Sequence, residues 1–168
     1  IEGIGYVNTA SELNDALGNA SIGTIIVAPG TYNIDLTVTN SQTIKGPNAG
    51  TAGYKTRNKD EAEIIGQVKI SSSNVIFDGF KVSPPDAKTQ QKGEALIITG
   101  LADNVVVKNN IVTDFGEDGI EEWEGIDGIV AFGGAELDPI ENVTIKSNKI
   151  KNISGRNTAG GATGISIQ

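Results

Sequence analysis

Residues 74–82 read Asn-Val-Ile-Phe-Asp-Gly-Phe-Lys-Val, and related phrases occur at residues 104–112 and 142–150. A shorter, degenerate copy occupies residues 41–46. Each copy begins with a polar turn residue and continues through alternating apolar positions. In the complete copies, a second turn and another apolar residue follow. Self-similarity at intervals of tens of residues indicates stacked structural units. We therefore predict a repeat architecture.

Stacking of the phrases in register would place equivalent residues in columns about 4.8 Å apart. The predicted inward columns are Val75 with Val105 and Val143, Phe77 with Val107 and Ile145, and Val82 with Val112 and Ile150. The predicted turn columns are Asn74 with Asn104 and Asn142, and Asn110 with Asn148; Asn tolerates left-handed backbone, and its amide can bond to the amide above. The outward column is Lys45, Asp78, Lys108 and Lys146. We interpret that column as a surface charge ladder of little energetic value.

The remaining chain predicts one helix and more strands. The helix begins after Thr9, which has capping-box spacing with Glu12, and it ends at Gly18, which suits a left-handed C-terminal position. Residues 23–28 are typical of a buried strand, and residues 34–38 alternate apolar and polar side chains as a half-buried strand does.

Four segments separate the predicted coils: 47–61, 83–94, 115–127 and 154–163. If the phrases stack in register, all four emerge from the same corner. Insertions confined to one face of a solenoid usually form its binding face. Strands this short, with turns every few residues and no helices between them, predict a parallel β-helix.

Composition excludes several classes of function. A chain of 168 residues is sufficient for one domain, and its formal net charge of −8 disfavours nucleic acid as a partner. An acidic polysaccharide would also be repelled, unless a bound cation or a local basic patch intervened. The absence of Cys and His removes disulfides, thiol chemistry and the commonest general base. No apolar stretch approaches ~20 residues, so no membrane-spanning helix is expected.

The N-terminal part also carries a resemblance. VNTASELNDALGNA (residues 7–20) and GTIIVAPGTY (23–32) resemble the helical cap and first coil of pectate-lyase-like right-handed parallel β-helix proteins. QTIKGPNAG (42–50) and NVIFDGFKV (74–82) are similar to repeat phrases of that superfamily. The resemblance implies one all-β domain over residues 1–168, a right-handed parallel β-helix with a short N-terminal capping helix, located outside the cell or on its surface. Activity stays open, because the superfamily includes lyases, hydrolases, phage tailspikes and non-catalytic surface or S-layer-associated proteins.

Acidic residues concentrate in and beside the segment 115–127. Carboxylate oxygens at this density could hold Ca²⁺, which takes six to eight oxygen ligands. The candidate ligands are Asp114, Glu117, Asp118, Glu121 and Asp127. Because no EF-hand or nonapeptide calcium motif is present, the alternative is a solvated acidic loop.

Two aromatic residues are candidates for carbohydrate contact. Trp123 lies in the acidic loop and Tyr54 in the segment 47–61, and exposed aromatic rings offer flat apolar faces to sugars. The alternative for Trp123 is packing of the loop onto the coil.

Candidate catalytic residues follow from what a uronate lyase must do. Such an enzyme neutralises a carboxylate and removes the neighbouring proton, and the resemblance implies Arg or Lys beside Ca²⁺ for these tasks. The candidates are Arg57, Lys92 and Arg156. A polygalacturonase-like hydrolase would need clustered Asp and a His, which disfavours that activity. An inverting carboxylate pair from Asp114, Asp118 or Asp127 stays open.

We therefore expect an extracellular domain that contacts a polysaccharide or cell-surface glycan without assured catalysis. The alternatives are a polysaccharide lyase acting by β-elimination on a uronate-containing glycan and a structural spacer of a surface layer. The chain begins at Ile1, and residues 165–167 begin another coil. This pattern predicts either a piece of a longer surface or secreted protein or end-to-end self-association.

Overall fold

The computed structural model describes residues 3–85, 94–100, 102–116, 126–133, 139–154 and 161–167. Within these ranges the chain forms one helix and sixteen short strands. The helix α1 is Ala10–Gly18, and the strands are β1 Gly3–Val7, β2 Ile22–Val27, β3 Gly30–Asn33, β4 Leu36–Val38, β5 Thr43–Lys45, β6 Ala62–Ile65, β7 Val68–Ile70, β8 Ile76–Asp78, β9 Lys81–Ser83, β10 Glu94–Thr99, β11 Val106–Lys108, β12 Ile111–Thr113, β13 Ile126–Phe132, β14 Thr144–Lys146, β15 Lys149–Lys151 and β16 Ala162–Ile167.

The strands form three parallel sheets that the chain visits in turn. Sheet A has the order β1-β2-β5-β8-β11-β14, sheet B the order β3-β6-β9-β12-β15, and sheet C the order β4-β7-β10-β13-β16. Each strand pairs in parallel with the equivalent strand of the next coil. This arrangement is that of an all-β parallel solenoid, so the predicted stack of repeated units is confirmed.

The predicted register is also confirmed. In sheet A, Val107 lies between Phe77 and Ile145, and in sheet B, Val112 lies between Val82 and Ile150. Their side chains contribute to one continuous hydrophobic core that runs through the coils. The alternation of apolar and polar residues in each short strand therefore decides which side chains enter this core.

Asparagine columns occupy the predicted turns. Asn74, Asn104 and Asn142 all adopt left-handed backbone, with φ of 59°, 55° and 57°, and the Asn104 amide donates to the Asn74 side-chain oxygen at 3.3 Å. At the next turn the backbone N–H of Asn110 donates to the Asn148 side-chain oxygen at 2.9 Å. These bonds satisfy polar groups that the turns would otherwise leave unpaired.

Helix α1 begins as its sequence predicts. The Thr9 hydroxyl accepts the backbone N–H of Glu12 at 3.2 Å, and the Glu12 carboxylate accepts the N–H of Asn8 at 2.9 Å. Leu13 and Leu17 are buried on the face that joins the hydrophobic core. The helix is therefore fixed at its start by reciprocal capping and along its length by packing.

The end of α1 differs from the prediction. Gly18 is the last helical residue and does not adopt left-handed backbone; Asn19 follows with φ of −96°. The Gln42 amide instead donates to the carbonyl oxygens of Ala16 and Ile22, at 3.0 and 2.9 Å. The Ala16 carbonyl, which also accepts the backbone N–H of Asn19 at 3.2 Å, is therefore satisfied in part by a side chain from the next coil, and the same amide ties the end of α1 to β2.

The prediction that all four insertions share one corner is wrong for residues 47–61. That segment joins β5 of sheet A to β6 of sheet B, whereas the other three follow a sheet B strand and precede a sheet C strand. The reason lies in the degenerate first phrase, residues 41–46. It contains only its sheet A strand, so the chain departs one corner earlier than it does in the complete phrases.

Candidate functional site

A group of polar side chains lies on the outer face of sheet B, where three insertions leave the solenoid. Because Ile64, Val82 and Val112 point into the core, the residues next to them in β6, β9 and β12 point outward. We call this group the sheet B cluster. Its members are Glu63, Lys81, Ser83, Thr113, Asp114 and Asn152.

Glu63 is at the centre of one half of the sheet B cluster. Its carboxylate lies 2.7 Å from the Lys81 ammonium and accepts the Ser83 hydroxyl at 2.7 Å. Burial on its own raises the pKa of Glu63, but the hydrogen bonds from Lys81 and Ser83 and the Lys81 charge outweigh it, so the net pKa is lowered. The carboxylate is therefore ionised at neutral pH and tied to two donors.

Asp114 forms the other half, directly after β12. It is exposed and adopts left-handed backbone with φ of 65°. The Asn152 amide donates to one of its oxygens at 2.7 Å and the Thr113 hydroxyl to the other at 2.9 Å. The Asn152 hydrogen bond is the main cause of a lowered pKa for Asp114; burial opposes it, and Thr113, Lys151 and Lys81 add to it.

The chemistry of the sheet B cluster follows from these contacts. Ionised carboxylates accept hydrogen bonds and the partly exposed Lys81 ammonium donates them. The hydroxyls of Ser83 and Thr113 are buried and already donate to Glu63 and Asp114. A general acid must instead hold a proton at the working pH, which requires a raised pKa. Glu63 and Asp114 have lowered pKa values, so they are suited to holding hydroxyl groups rather than to protonating a leaving oxygen.

A second feature is the segment 46–61, which we call the corner strap because it crosses the turns between sheets A and B. Arg57 anchors it: the guanidinium lies 2.7 Å from Glu61 and also donates to the backbone oxygens of Phe80 and Asn109. Its side chain is only 5% exposed. These contacts are those of a loop anchor, and the catalytic role of Arg57 stays a prediction.

The corner strap also changes the outward column of sheet A. Asp78 is only 4% exposed, and its carboxylate accepts the Asn109 amide at 2.7 Å and the Gly50 N–H at 3.1 Å, with the Lys108 ammonium at 3.5 Å. The interpretation of the column as a surface charge ladder is therefore wrong at Asp78. The strap covers this acid and supplies one of its donors.

Of the other predicted site residues, the structure describes Tyr54, Asp114 and Asp127. Tyr54 is 63% exposed near the tip of the corner strap, and its contact with carbohydrate stays a prediction. Asp114 directly precedes the acidic segment in the sequence, and Asp127 is its last residue. Asp127 lies in β13, beside Thr163 of β16. The predicted residues outside the described ranges are Trp123, Lys92, Arg156, Glu117, Asp118 and Glu121. Within the described ranges no three acidic side chains come together as a metal site.

Sequence reasoning did not identify the sheet B cluster. Glu63, Lys81 and Ser83 each occupy an outward position of a short strand, and a single polar residue there looks like any solvated surface residue. The available signal was the register: residues 63 and 81 fall in one column once the sheet B strands are aligned. The buried state of Asp78 had no signal in the phrase itself, because a distant segment covers it.

Comparison of the chain with models of protein families, with curated proteins and with solved structures gave no match. Among the described residues there is no helix of the length and apolar character needed to span a membrane. The sheet B cluster and the corner strap are therefore the features that point to a function.

Proposed function

We propose that this chain is a non-catalytic extracellular domain that contacts a glycan through the outer face of sheet B. The observation that carries this proposal is the sheet B cluster itself. It presents two ionised carboxylates and an ammonium group at the edge from which three insertions emerge, and the buried hydroxyls of Ser83 and Thr113 hold those carboxylates in place. A sugar chain presents hydroxyl groups at regular intervals, and such groups donate to carboxylates and accept from ammonium groups.

The geometry of the stack supports a linear ligand. Parallel strands lie about 4.8 Å apart, so the cluster repeats polar positions at that interval along the solenoid axis. Glu63, Lys81 and Asp114, which directly follows β12, come from three successive coils. A glycan lying along the axis could therefore make hydrogen bonds to several coils at once.

A polysaccharide lyase is the main rival. It needs a base close to the abstracted proton and a cation beside the substrate carboxylate. In the described ranges the Lys81 ammonium is occupied by Glu63 and the Arg57 guanidinium by Glu61 and two backbone oxygens. The engagement of Arg57, the one predicted catalytic residue in the described ranges, favours binding over elimination, and Lys92 and Arg156 stay candidates for the rival.

The proposal includes the finer form of the fold. We infer that the solenoid is a right-handed parallel β-helix, because parallel strands are joined by right-handed crossovers in almost all proteins. We also infer that α1 caps it, since the buried face of α1 belongs to the same core as the first coils. A location outside the cell or on its surface belongs to the same proposal and rests on the resemblance, which covers most of residues 7–168.

Retention by immobilised glycans tests this function. We expect weak retardation of the chain in gels containing neutral plant or cell-wall glycans, and Asp114→Ala should reduce it. Asp15→Ala, on the exposed face of α1, is the matched control and should not.

A second measurement separates the rivals. Pectin, alginate and a glycosaminoglycan, each with Ca²⁺, should show no rise in the ultraviolet absorbance of an unsaturated sugar end. A rise that Lys92→Ala or Arg156→Ala removes would establish the lyase instead. Failure to bind or cleave any glycan would favour the structural spacer.

A further inference from the structure

The corner strap extends along the solenoid axis from β5 across later coils, and then returns to β6. It leaves β5, meets the next coil where the Gly50 N–H donates to Asp78, and reaches the β14–β15 coil where the Gly53 N–H donates to the Ser147 oxygen at 2.8 Å. In sheet A, β14 lies three strands beyond β5. Tyr54 follows Gly53 directly, so it lies at the β14–β15 coil although the strap begins after β5.

The tip of the strap is held in place. A Cβ atom added at Gly53 would lie 2.9 Å from the Lys149 nitrogen and would also overlap the Asn110 carbonyl, so only glycine permits this approach. Arg57 anchors the returning half of the strap to Asn109 and Phe80. Tyr54 is thus exposed but mounted on a fixed segment, which lowers the entropic cost of using it as a contact surface.

Two lysines flank the turn on which the tip rests. Lys146 ends β14 and Lys149 begins β15, and both are exposed. In the described part of the chain neither forms an ion pair, whereas Lys108 lies next to Asp78 and Lys81 next to Glu63. Two lysines without an ion pair among the described residues therefore flank the turn that the backbone next to Tyr54 contacts, on a chain whose formal net charge is −8.

We propose that Tyr54, Lys146 and Lys149 form a second glycan site, which takes a sugar chain bearing acidic groups. The flat face of Tyr54 can stack against a sugar ring while the two ammonium groups pair with negative charges on the same chain. This is the local basic patch that an acidic polysaccharide requires on an acidic protein. The proposal builds on glycan contact as the general function, but different residues carry it.

Dextran, carboxymethyl dextran and dextran sulfate of equal chain length provide matched probes, because the three share one backbone and differ in charge. We expect the full chain to bind both acidic derivatives more tightly than dextran at low ionic strength, with affinity that falls as salt rises. The double variant Lys146→Gln/Lys149→Gln should weaken binding of both by about tenfold, the effect of losing two partly exposed ionic contacts. Tyr54→Ala should weaken it by roughly threefold to tenfold, as expected for one aromatic contact.

Controls make the outcome specific. Lys69→Gln removes an exposed lysine from sheet C and should leave binding unchanged, and thermal melting of each variant verifies that the solenoid is intact. Equal affinity for all three dextrans, or no effect of the lysine double variant, would overturn the proposal. So would single-stranded DNA that binds as tightly as dextran sulfate and ignores Tyr54→Ala, since that result would indicate a general polyanion surface.

The two proposed sites can fail separately. Asp114→Ala should reduce retention by neutral glycans and leave the binding of carboxymethyl dextran and dextran sulfate unchanged. If the acidic dextrans do not bind but neutral glycans are still retained through Asp114, the second site is absent and the sheet B site stands.

Discussion

Left-handed backbone at non-glycine residues marks the turns of this solenoid. In the described ranges these residues are Asn74, Asn104, Asn109, Asp114, Asn142, Ser147 and Asn152. All but Ser147 are Asn or Asp, the types whose short polar side chains tolerate this conformation best. The repeated Asn residues of the phrases are therefore explained by backbone geometry as well as by the bonds between their side chains.

Ser147 is the exception, and it gives a prediction at this scale. It occupies the position of Gly79 and Asn109 in the earlier phrases, with φ of 56° against 86° and 58°. We expect Ser147→Gly to raise the free energy of unfolding by about 0.5–1 kcal/mol, because glycine adopts this conformation without a Cβ penalty, part of which its larger unfolded-state entropy offsets. Chemical denaturation measures the change.

The control for this prediction has the opposite sign. Ser11 is exposed in the first turn of α1, where Ser11→Gly should lower the free energy of unfolding by up to about 0.5 kcal/mol, since glycine is the poorer helix former. Destabilisation by both substitutions would show that the Ser147 side chain contributes more than its backbone strain costs.

At the scale of elements, the phrases were sufficient to predict the parallel stack, its register and its asparagine columns. Each of these depends on a local pattern that recurs, so the strands and turns predicted for one phrase can be checked against those of the next. β1, β3 and β6 were not predicted, because they lie outside the repeated phrases and their sequences GIGYV, GTYN and AEII are shorter or less regularly apolar than residues 23–28. The path of the corner strap and the burial of Asp78 were also missed, because they depend on how an insertion packs onto distant coils.

The sheet B cluster shows the same limit for function. Sequence reasoning placed candidate sites on long acidic or aromatic insertions, where composition is unusual. The structure adds outward residues of short strands, which become a site only when three coils are aligned. Asp114 is the one residue common to both, predicted as a metal ligand and found hydrogen-bonded to Thr113 and Asn152.

The ionised state of the cluster predicts a pH dependence. The folded pKa of Glu63 lies below its ordinary value of 4.5. Its stabilising contribution is therefore complete above the unfolded pKa and is lost as pH falls through the folded pKa. We expect the melting temperature to drop between about pH 5 and pH 3, and Glu63→Gln to make that drop shallower.

Lys81→Met tests the cause of this effect. Without the ammonium, burial still raises the pKa of Glu63 while only the Ser83 bond lowers it, so the contribution to the pH slope should shrink or reverse in sign. The measurement is the melting temperature across the same pH range. A slope that neither substitution changes would place the acid sensitivity of the protein elsewhere.

At the scale of the whole molecule, charge is unevenly distributed. No Lys or Arg precedes Lys45, whereas the phrase at residues 142–150 contains two lysines and no acid. The segment 115–127 carries six acids and no base. A formal net charge of −8 opposes compaction through self-repulsion, and cations in solution reduce that repulsion.

This charge pattern allows a decisive test of the predicted Ca²⁺ site. Screening of self-repulsion depends on ionic strength alone, whereas a specific site stabilises the fold by mass action, by about 2.7 kcal/mol at a hundredfold excess over the dissociation constant. For a chain of this size that corresponds to a rise in melting temperature of roughly 5–10 °C. We therefore expect millimolar CaCl₂ to raise the melting temperature well above the effect of NaCl at equal ionic strength.

Substitution of Asp114 and Asp127 tests whether the rise in melting temperature comes from Ca²⁺ bound at the acidic segment. Asp114 has a lowered pKa and so offers an ionised ligand at neutral pH, although Ca²⁺ must compete for it with Asn152 and Thr113. Asp114→Asn/Asp127→Asn should remove the Ca²⁺-specific part of the rise and leave the NaCl effect, while Asp15→Asn on α1 should leave both. If CaCl₂ and NaCl act alike at equal ionic strength, the acidic segment is a solvated loop. Glycan contact by the sheet B cluster would then proceed through hydrogen bonds and Lys81 without a bridging cation.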